Sequence, residues 1–151
     1  MGTHFKGPAS QVAALDAYIK LVRAAESLSA RSHRLLPAGL TITQFGVLEA
    51  LHHLGPMCPS TIAGKVLKSA GNLTLVVDNL VKAGLVRRER NPDDRRFLTI
   101  HLTGKGRRFI ADLFPRIAAA VTAEFGVLTA AEQATLAGLC RKLGRGRAGQ
   151  T

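Results

Sequence analysis

The 151-residue sequence predicts a mainly α-helical fold with one small β-hairpin. On both sides of the hairpin, apolar residues recur at the three- and four-residue spacing of amphipathic helices. Only residues 85–102 change to the two-residue rhythm of strands, around the turn-rich run Asn91-Pro92-Asp93-Asp94. Basic residues are concentrated in the same region. The change of period and the concentration of charge therefore coincide.

Composition limits the classes of function. The chain has 21 Lys and Arg against 10 Asp and Glu, and this net charge of +11 favours polyanionic partners such as nucleic acid. No run of about 18 apolar residues is present, and residues 1–10 lack the apolar core of a secretion signal, so we expect no membrane partner. Two cysteines, Cys58 and Cys140, are too few for a disulfide framework and favour the cytoplasm. The low aromatic content of 5% favours duplex DNA over single strands.

The first predicted helix, residues 10–36, carries two apolar stripes instead of one. They consist of Val12, Leu15, Ile19 and Val22, and of Ala14, Tyr18, Leu21, Ala25 and Leu28. A helix on the outside of a monomer needs one such stripe, so something is expected to cover the second. From the residues alone, a central buried helix and a dimer contact are equally compatible with this pattern.

Two short helices follow. Pro37 and Gly39 end the first helix, and Thr41-x-x-Gln44 is a capping box for a helix over residues 43–54 that Gly55-Pro56 ends. A third helix begins at Pro59, since proline suits the first helical position, and continues to about residue 68. Its predicted packing face is Ile62, Ala63, Val66 and Leu67.

The fourth helix, residues 69–83, is bounded by Ser69 as N-cap and Gly84 after its C-terminus. Its apolar stripe consists of Leu73, Val76, Val77, Leu80 and Val81. The opposite face is polar and nearly neutral, with Asn72, Thr74, Leu75, Asp78, Asn79 and Lys82. Such a face suits hydrogen bonding to base edges better than general attraction to phosphate.

The hairpin that follows is strongly basic. Its predicted strands are residues 85–90 and 97–102, and residues 82–108 contain nine Lys and Arg against three acidic residues. Together with the preceding helices it predicts a winged helix-turn-helix over residues 41–106, with the fourth helix in the major groove and the wing on the backbone or in the minor groove. The candidate wing contacts are Arg88, Arg90, Asp94, Arg95 and Arg96.

Two more helices are predicted after the wing. Thr103 caps the first, which extends to Phe125 with a kink at Pro115. Thr129 and Glu132 form a second capping box, and the last helix, to about residue 143, presents Cys140 on an apolar face that we assign to the core. We treat residues 1–151 as a single domain in which residues 10–36 and 107–144 serve dimerisation.

The middle of the chain carries a family signature: Leu80-x-x-x-Gly84-Leu85-Val86, seven residues, Asp94-Arg95-Arg96, six residues, Thr103-x-x-Gly106. This run resembles the signature of the multiple-antibiotic-resistance regulator (MarR) family over 27 residues with every spacing intact. Upstream, Leu40-Thr41-x-x-Gln44 and Ile62-Ala63 extend the resemblance. It implies a homodimeric winged-helix transcription factor on a pseudo-palindromic operator in double-stranded DNA. The usual role is that of a repressor released by a small ligand or by thiol oxidation.

The resemblance also implies roles for particular residues. In the family, the residue matching Asp94 helps to orient a wing arginine, and the sequence leaves open whether Arg95 or Arg96 enters the minor groove. An apolar pocket for phenolic or aromatic anions is expected between the dimer helices and the DNA-binding lobe. Tyr18, His33 and His53 are its candidate polar contacts.

Other chemistries have less support. Cys58 precedes a helix N-terminus, which favours a thiolate, but the family's oxidation sensors carry their cysteine in the first helix, where this chain has none. His52 and His53 point to different sides of a helix, so we expect no metal site. Without a phosphate-binding glycine loop, HExxH or nucleophile elbow, we expect no enzyme and no cofactor. A redox- or metal-responsive regulator, a non-specific architectural DNA-binding protein and an interaction module that does not bind DNA remain as alternatives.

Overall fold

The computed structural model describes residues 2–66 and 70–146, which form six helices and one hairpin. In chain order they are α1 (Ala9–His33), α2 (Ile42–Leu54), α3 (Pro59–Val66), α4 (Ala70–Lys82), β1 (Val86–Arg90), β2 (Leu98–Leu102), α5 (Gly104–Phe125) and α6 (Ala130–Arg145). The mainly helical fold with a two-stranded wing is therefore confirmed. By its contacts the chain divides into two compact units, residues 1–114 and 115–151, with the division inside α5 at Pro115. The expected kink at Pro115 stays a prediction.

Side chains set the helix boundaries, as predicted. At the start of α2, the Gln44 N–H donates to Thr41 Oγ1 (3.1 Å) and the Thr41 N–H donates to Gln44 Oε1 (2.9 Å). Thr129 and Glu132 form the same reciprocal pair at the start of α6. Gly84, with φ +72°, adopts the left-handed conformation that ends α4. The predicted N-cap Ser69 and the packing residue Leu67 lie outside the described residues.

The core of the first unit lies among α2, α3, α4, the hairpin and the start of α5. Its fully buried large side chains are Leu48, Ile62, Leu73, Leu80, Ile100, Ile110, Val47 and Val86. The predicted stripe of α4 is confirmed, since Leu73, Val77 and Leu80 are buried and Val76 and Val81 pack against them. Burial of this stripe fixes which face of α4 is left exposed.

The hairpin is antiparallel, with Val86 opposite Leu102 and Arg90 opposite Leu98. Ile100 of β2 also exchanges backbone hydrogen bonds with Met57: the Ile100 N–H donates to Met57 O (3.0 Å) and the Met57 N–H to Ile100 O (3.4 Å). The sequence analysis missed this bridge. It attaches the base of the wing to the turn between α2 and α3.

Thr103 and Gly106 join α5 to the corner between α4 and β1. The Thr103 hydroxyl donates to Gly84 O (2.6 Å) and accepts from the Gly106 N–H (3.0 Å), so Thr103 caps α5 as predicted. A Cβ at Gly106 would stand 1.9 Å from Leu85 O. The Thr-x-x-Gly motif is therefore a packing requirement of this corner.

Two burial predictions need correction. No residue of α1 is buried: Leu15 and Leu21 are more than a third exposed and Tyr18 is 64% exposed, so the central buried helix is wrong for this chain. In α6, Cys140 is exposed rather than part of the core, beside the exposed Leu139 and Leu143. Apolar periodicity predicts both helices, but it does not identify what covers an apolar face.

Candidate nucleic-acid interface

The polar face of α4 is open to solvent. Asn72, Thr74 and Asn79 are exposed, and Leu75 is 63% exposed although it is a large apolar side chain. The buried stripe on the opposite side holds α4 in the core, so this face is rigidly presented. Amides and hydroxyls can bond base edges, and an apolar tip can contact a thymine methyl group. The exposed face thus has the chemistry required to read base pairs.

An ion pair joins α4 to the wing. Arg88 Nη2 of β1 donates to Asp78 Oδ1 of α4, and both side chains are about one-third to two-fifths exposed. Each of these residues was predicted to contact DNA separately. Their pairing was not predicted, because they are ten positions apart on different elements. The pair links α4 to the first strand of the wing.

Short-range hydrogen bonds order the tip of the wing. The Asp93 N–H donates to Asn91 Oδ1 (2.9 Å), and Arg90 Nη1 donates to Arg95 O (3.0 Å). The Asn91 N–H donates to Phe97 O and closes the loop (3.0 Å). The side chain of Arg90 therefore bonds within the wing. It supports the tip and does not extend beyond it.

Asp94 holds Arg96. The backbone N–H and Nε of Arg96 donate to Asp94 Oδ1 and its Nη2 donates to Asp94 Oδ2, each at 3.0 Å. These hydrogen bonds from Arg96 keep the pKa of the Asp94 carboxyl below its usual value. The Arg96 side chain remains 89% exposed. Asp94 therefore orients the Arg96 side chain. Arg95 contributes its backbone carbonyl to the hydrogen bonds of the tip.

A second charged cluster lies on the strands. Arg87 Nη1 donates to Glu89 Oε2, and His101 Nε2 lies 3.6 Å from the same oxygen. The hydrogen bond from Arg87, followed by the charges of Arg87 and His101, lowers the pKa of Glu89. One of the three acidic residues in this basic region is thus paired locally.

Cys58 lies immediately before α3, as the sequence indicates. Its Sγ is 3.2 Å from Ser60 Oγ and 3.1 Å from Thr61 Oγ1. Hydrogen bonds from Ser60 and Thr61 lower the pKa of the thiol from 9.0 to about 7. Such a thiol is partly ionised at neutral pH, and the thiolate is the reactive form.

A cavity of about 520 Å³, here called the effector cavity, lies among α1, α2 and α3. It is lined by Ser29, His33, Thr41, Ile42, Thr43, Gly46, Glu49, Ala50, Leu54, Lys65 and Val66. Of the three candidate ligand contacts, only His33 belongs to this lining. His53 stacks edge-on against Phe114, with ring centroids 4.5 Å apart, and Tyr18 lies exposed on α1. Lys65 and Glu49 were not predicted, because no local sequence pattern marks them.

Within residues 2–66 and 70–146, no group of three or more His, Cys, Asp or Glu is placed to hold a metal ion. His52 and His53 have ring centroids 4.8 Å apart in an edge-on contact. Among the described helices, none is by itself long and apolar enough to cross a membrane, and α5 with α6 satisfies that criterion only as a bent pair.

Comparisons with known proteins agree with this geometry. The MarR family model matches residues 40–97. An uncharacterised HTH-type transcriptional regulator, YkoM of Bacillus subtilis, is 35% identical over 132 residues, which cover 87% of this chain and 86% of that protein. The HTH-type transcriptional regulator MhqR of the same organism is 33% identical over 131 residues, 86% and 90% of the two chains.

Solved structures extend the likeness to the fold. Streptomyces coelicolor PcaV, in complex with its natural ligand, has a TM-score of 0.76 at 26% identity over 83% of this chain and 89% of that one. Bordetella bronchiseptica BpsR, whose DNA binding is regulated by 6-hydroxynicotinic acid, has a TM-score of 0.74 at 25% identity, covering 85% and 98%. A mutant of E. coli MarR complexed with operator DNA has a TM-score of 0.70 at 28% identity, covering 84% and 95%. The winged helix-turn-helix, the signature that builds it and these relatives together show that the chain belongs to the MarR family of transcriptional regulators and is not an enzyme.

Proposed function

We propose that this regulator is a homodimeric repressor that binds a pseudo-palindromic operator in the cytoplasm and is released by a small phenolic or aromatic anion. One observation carries the DNA-binding part of the proposal. The exposed, nearly neutral face of α4 lies beside a wing whose Arg96 is held outward by Asp94. A protein that only coats DNA would need Lys and Arg on the helix face instead.

Exposed apolar side chains support the dimer. On α1 they are Leu15, Tyr18 and Leu21, and on α6 they are Leu136, Leu139 and Leu143. A soluble monomer rarely leaves such rows uncovered, and a second copy of the chain would cover them. Two recognition helices would then meet successive major grooves roughly 34 Å apart.

On DNA, we assign base reading to Asn72, Thr74, Leu75 and Asn79, with Ser69 and Lys82 on the flanking phosphates. We assign Arg96 to the minor groove, where a narrow A·T-rich groove attracts arginine, because Asp94 pre-orders it. Arg95 remains a phosphate contact. Asp78 and Arg88 act as a pair that holds the helix and wing together.

The effector cavity supports control by a small molecule. Its volume of about 520 Å³ suits a one-ring aromatic ligand. Ile42, Leu54 and Val66 would pack on the ring, while Lys65 and His33 would bind a carboxylate and Glu49 would accept a hydrogen bond from a phenolic hydroxyl. Because α1 lies on one side and α2 and α3 on the other, a ligand that favours one arrangement of these helices would shift the population off DNA.

The test begins with DNA fragments selected by the protein from its own genome. A selected duplex should be bound as a dimer and released by 4-hydroxybenzoate or 6-hydroxynicotinic acid at constant ionic strength. Lys65→Met should weaken the release, and Lys20→Met, the same change on an exposed part of α1, should leave it intact. A protein that never discriminates between selected and random DNA would be an architectural binder and would contradict the proposal.

Release by thiol oxidation is the second candidate, because hydrogen bonds lower the pKa of Cys58 to about 7. If peroxide but no aromatic acid releases the protein, and Cys58→Ser abolishes that release, the redox function replaces the ligand function. If Cys58→Ser leaves release by peroxide unchanged, the redox candidate is wrong.

A further inference from the structure

A smaller cavity lies at the base of the wing, at the end opposite the tip. Its volume is about 200 Å³, and it is lined by Leu51, His52, Gly55, Pro56, His101, Leu102 and Arg107. We call it the basal cavity. These residues come from the end of α2, the turn after it, β2 and the start of α5, so four segments of the first unit enclose it.

Backbone hydrogen bonds fix the walls of the basal cavity. The Gly55 N–H donates to Leu51 O (3.1 Å) at the end of α2, where Gly55 has φ +82°. Two residues later, the bridge between Met57 and Ile100 attaches the turn to β2. The cavity is therefore formed in advance by paired backbone and does not depend on the position of a loose loop.

The lining of the basal cavity carries one permanent positive charge, that of Arg107. His52, His101 and Arg107 contribute nitrogen donors, and the described lining contains no Asp or Glu. Arg107 Nη1 donates to Leu102 O (3.2 Å), which anchors the guanidinium at the wall. A guanidinium has five N–H donors, so one internal bond leaves capacity for a ligand.

The acid that lies beside His101 is already engaged. Glu89 Oε2 lies 3.6 Å from His101 Nε2, but the same oxygen accepts from Arg87 Nη1 on β1. Glu89 lies outside the lining and can orient the His101 ring. Leu51 and Leu102 supply the apolar part of the lining, and both are buried.

We propose that the basal cavity binds a small free oxyanion, a carboxylate or a sulfate-like group, held by Arg107, His101 and His52. Its 200 Å³ is below the roughly 300 Å³ at which pockets for larger organic ligands begin, so its ligand is smaller than that of the effector cavity. Charge-assisted bonds from a guanidinium fork match the geometry of an oxyanion. Among the described residues, none from α4 lines the cavity, which favours a free anion over a phosphate of the DNA proposed to contact α4.

The full chain can be titrated with sodium sulfate and with sodium acetate at ionic strength held constant with chloride. Thermal unfolding should shift upward with either anion in a saturable way, because a ligand that binds only the folded state stabilises it. Histidine ring NMR signals of His52 and His101 should move over the same concentration range, and that of His4 should not.

Variants distinguish a specific anion site from general attraction by the positive charge of the protein. Arg107→Gln should weaken anion binding by about tenfold or more. Arg108→Gln removes the same charge from the neighbouring exposed position outside the lining and should change it less than twofold. His52→Gln leaves the anchoring bond of Arg107 intact and should also weaken binding, which keeps the test valid if Arg107→Gln does not fold.

Two results would overturn the proposal. Equal loss in the Arg107→Gln and Arg108→Gln variants, or unmoved His52 and His101 signals, would mean an unspecific ion atmosphere. Failure of both free anions to saturate the site, together with a larger loss of DNA affinity in Arg107→Gln than in Arg108→Gln, would mean that a DNA phosphate occupies it. Neither result would affect the proposal that the effector cavity binds an aromatic ligand.

Discussion

Gly106 is the residue at which α5 approaches the corner between α4 and β1 most closely. A Cβ there would lie 1.9 Å from Leu85 O, an oxygen that also accepts from the Thr103 N–H. Because Leu85 O is a backbone atom, it cannot rotate away from the added Cβ as a side chain could. We expect Gly106→Ala to lower the free energy of unfolding by about 2–3 kcal/mol in urea denaturation.

The matched control is Gly64→Ala in α3, where nothing lies within 4 Å of the added Cβ. Alanine suits a helix better than glycine, so this change should raise stability by up to about 1 kcal/mol. Equal effects of the two substitutions on the urea midpoint would show that the corner is not closely packed.

Cys58 should titrate near neutral pH. Its pKa is lowered to about 7 by hydrogen bonds from Ser60 and Thr61. Alkylation by iodoacetamide, measured in a Cys140→Ser background, should reach half its maximal rate near pH 7. The ionised thiol stabilises the folded protein fully above pH 9, the ordinary pKa of the Cys58 thiol. This stabilisation is lost as the pH falls through about 7.

Removing the two donors with Ser60→Ala and Thr61→Val should raise this midpoint towards 9.0. A midpoint that stays near 7 in the double variant would place its cause elsewhere, such as the N-terminus of α3. A midpoint near 9 in the unaltered protein would mean that the hydrogen bonds do not form in solution.

At the scale of elements, α4 and the wing should differ in how DNA sequence and salt affect them. Replacing Thr74 or Asn72 with Ala should cost about 1–3 kcal/mol on the operator and much less on random DNA, because base contacts carry sequence information. Truncating Arg95 and Arg96 together should weaken binding to both DNAs and reduce the salt slope by roughly one unit per lost phosphate contact. Fluorescence anisotropy at several salt concentrations measures both effects.

Within the wing, Arg96→Ala should lose more affinity on A·T-rich flanks than Arg95→Ala. Asp94→Asn should reproduce part of that loss, since Asp94 only orients Arg96. The variant without the Arg95 and Arg96 side chains could instead lose its preference for the operator over random DNA, while the Thr74 variant loses affinity for both DNAs equally. That result would mean that the roles of α4 and the wing have been interchanged.

Local signals made the individual elements predictable. The capping boxes at Thr41 and Thr129, the positive φ at Gly84 and the stripe of α4 depend on residues no more than about four to seven positions apart. The pair Asp78 and Arg88, the Met57 bridge to Ile100, the basal cavity and most of the lining of the effector cavity were missed. They arise from tertiary proximity of residues on different elements, which periodicity does not encode.

At the scale of the whole molecule, we propose that the apolar faces left exposed on α1 and α6 are where two chains meet. Leu139→Glu with Leu143→Glu places charges in one such face, and we expect the chain to become monomeric by sedimentation and to lose operator affinity. Lys142→Glu, between them on α6, serves as the charged control. A double variant that remains a dimer would show that the face of α6 does not form the interface.

The most direct test of the central claim compares binding isotherms of the unaltered protein on a genome-selected operator and on a scrambled duplex of equal length, at physiological salt. A MarR-family regulator that reads bases through α4 should bind the operator at least about a thousandfold more tightly, with two chains per duplex. Equal affinities for the two duplexes, or one chain bound per duplex, would contradict the account.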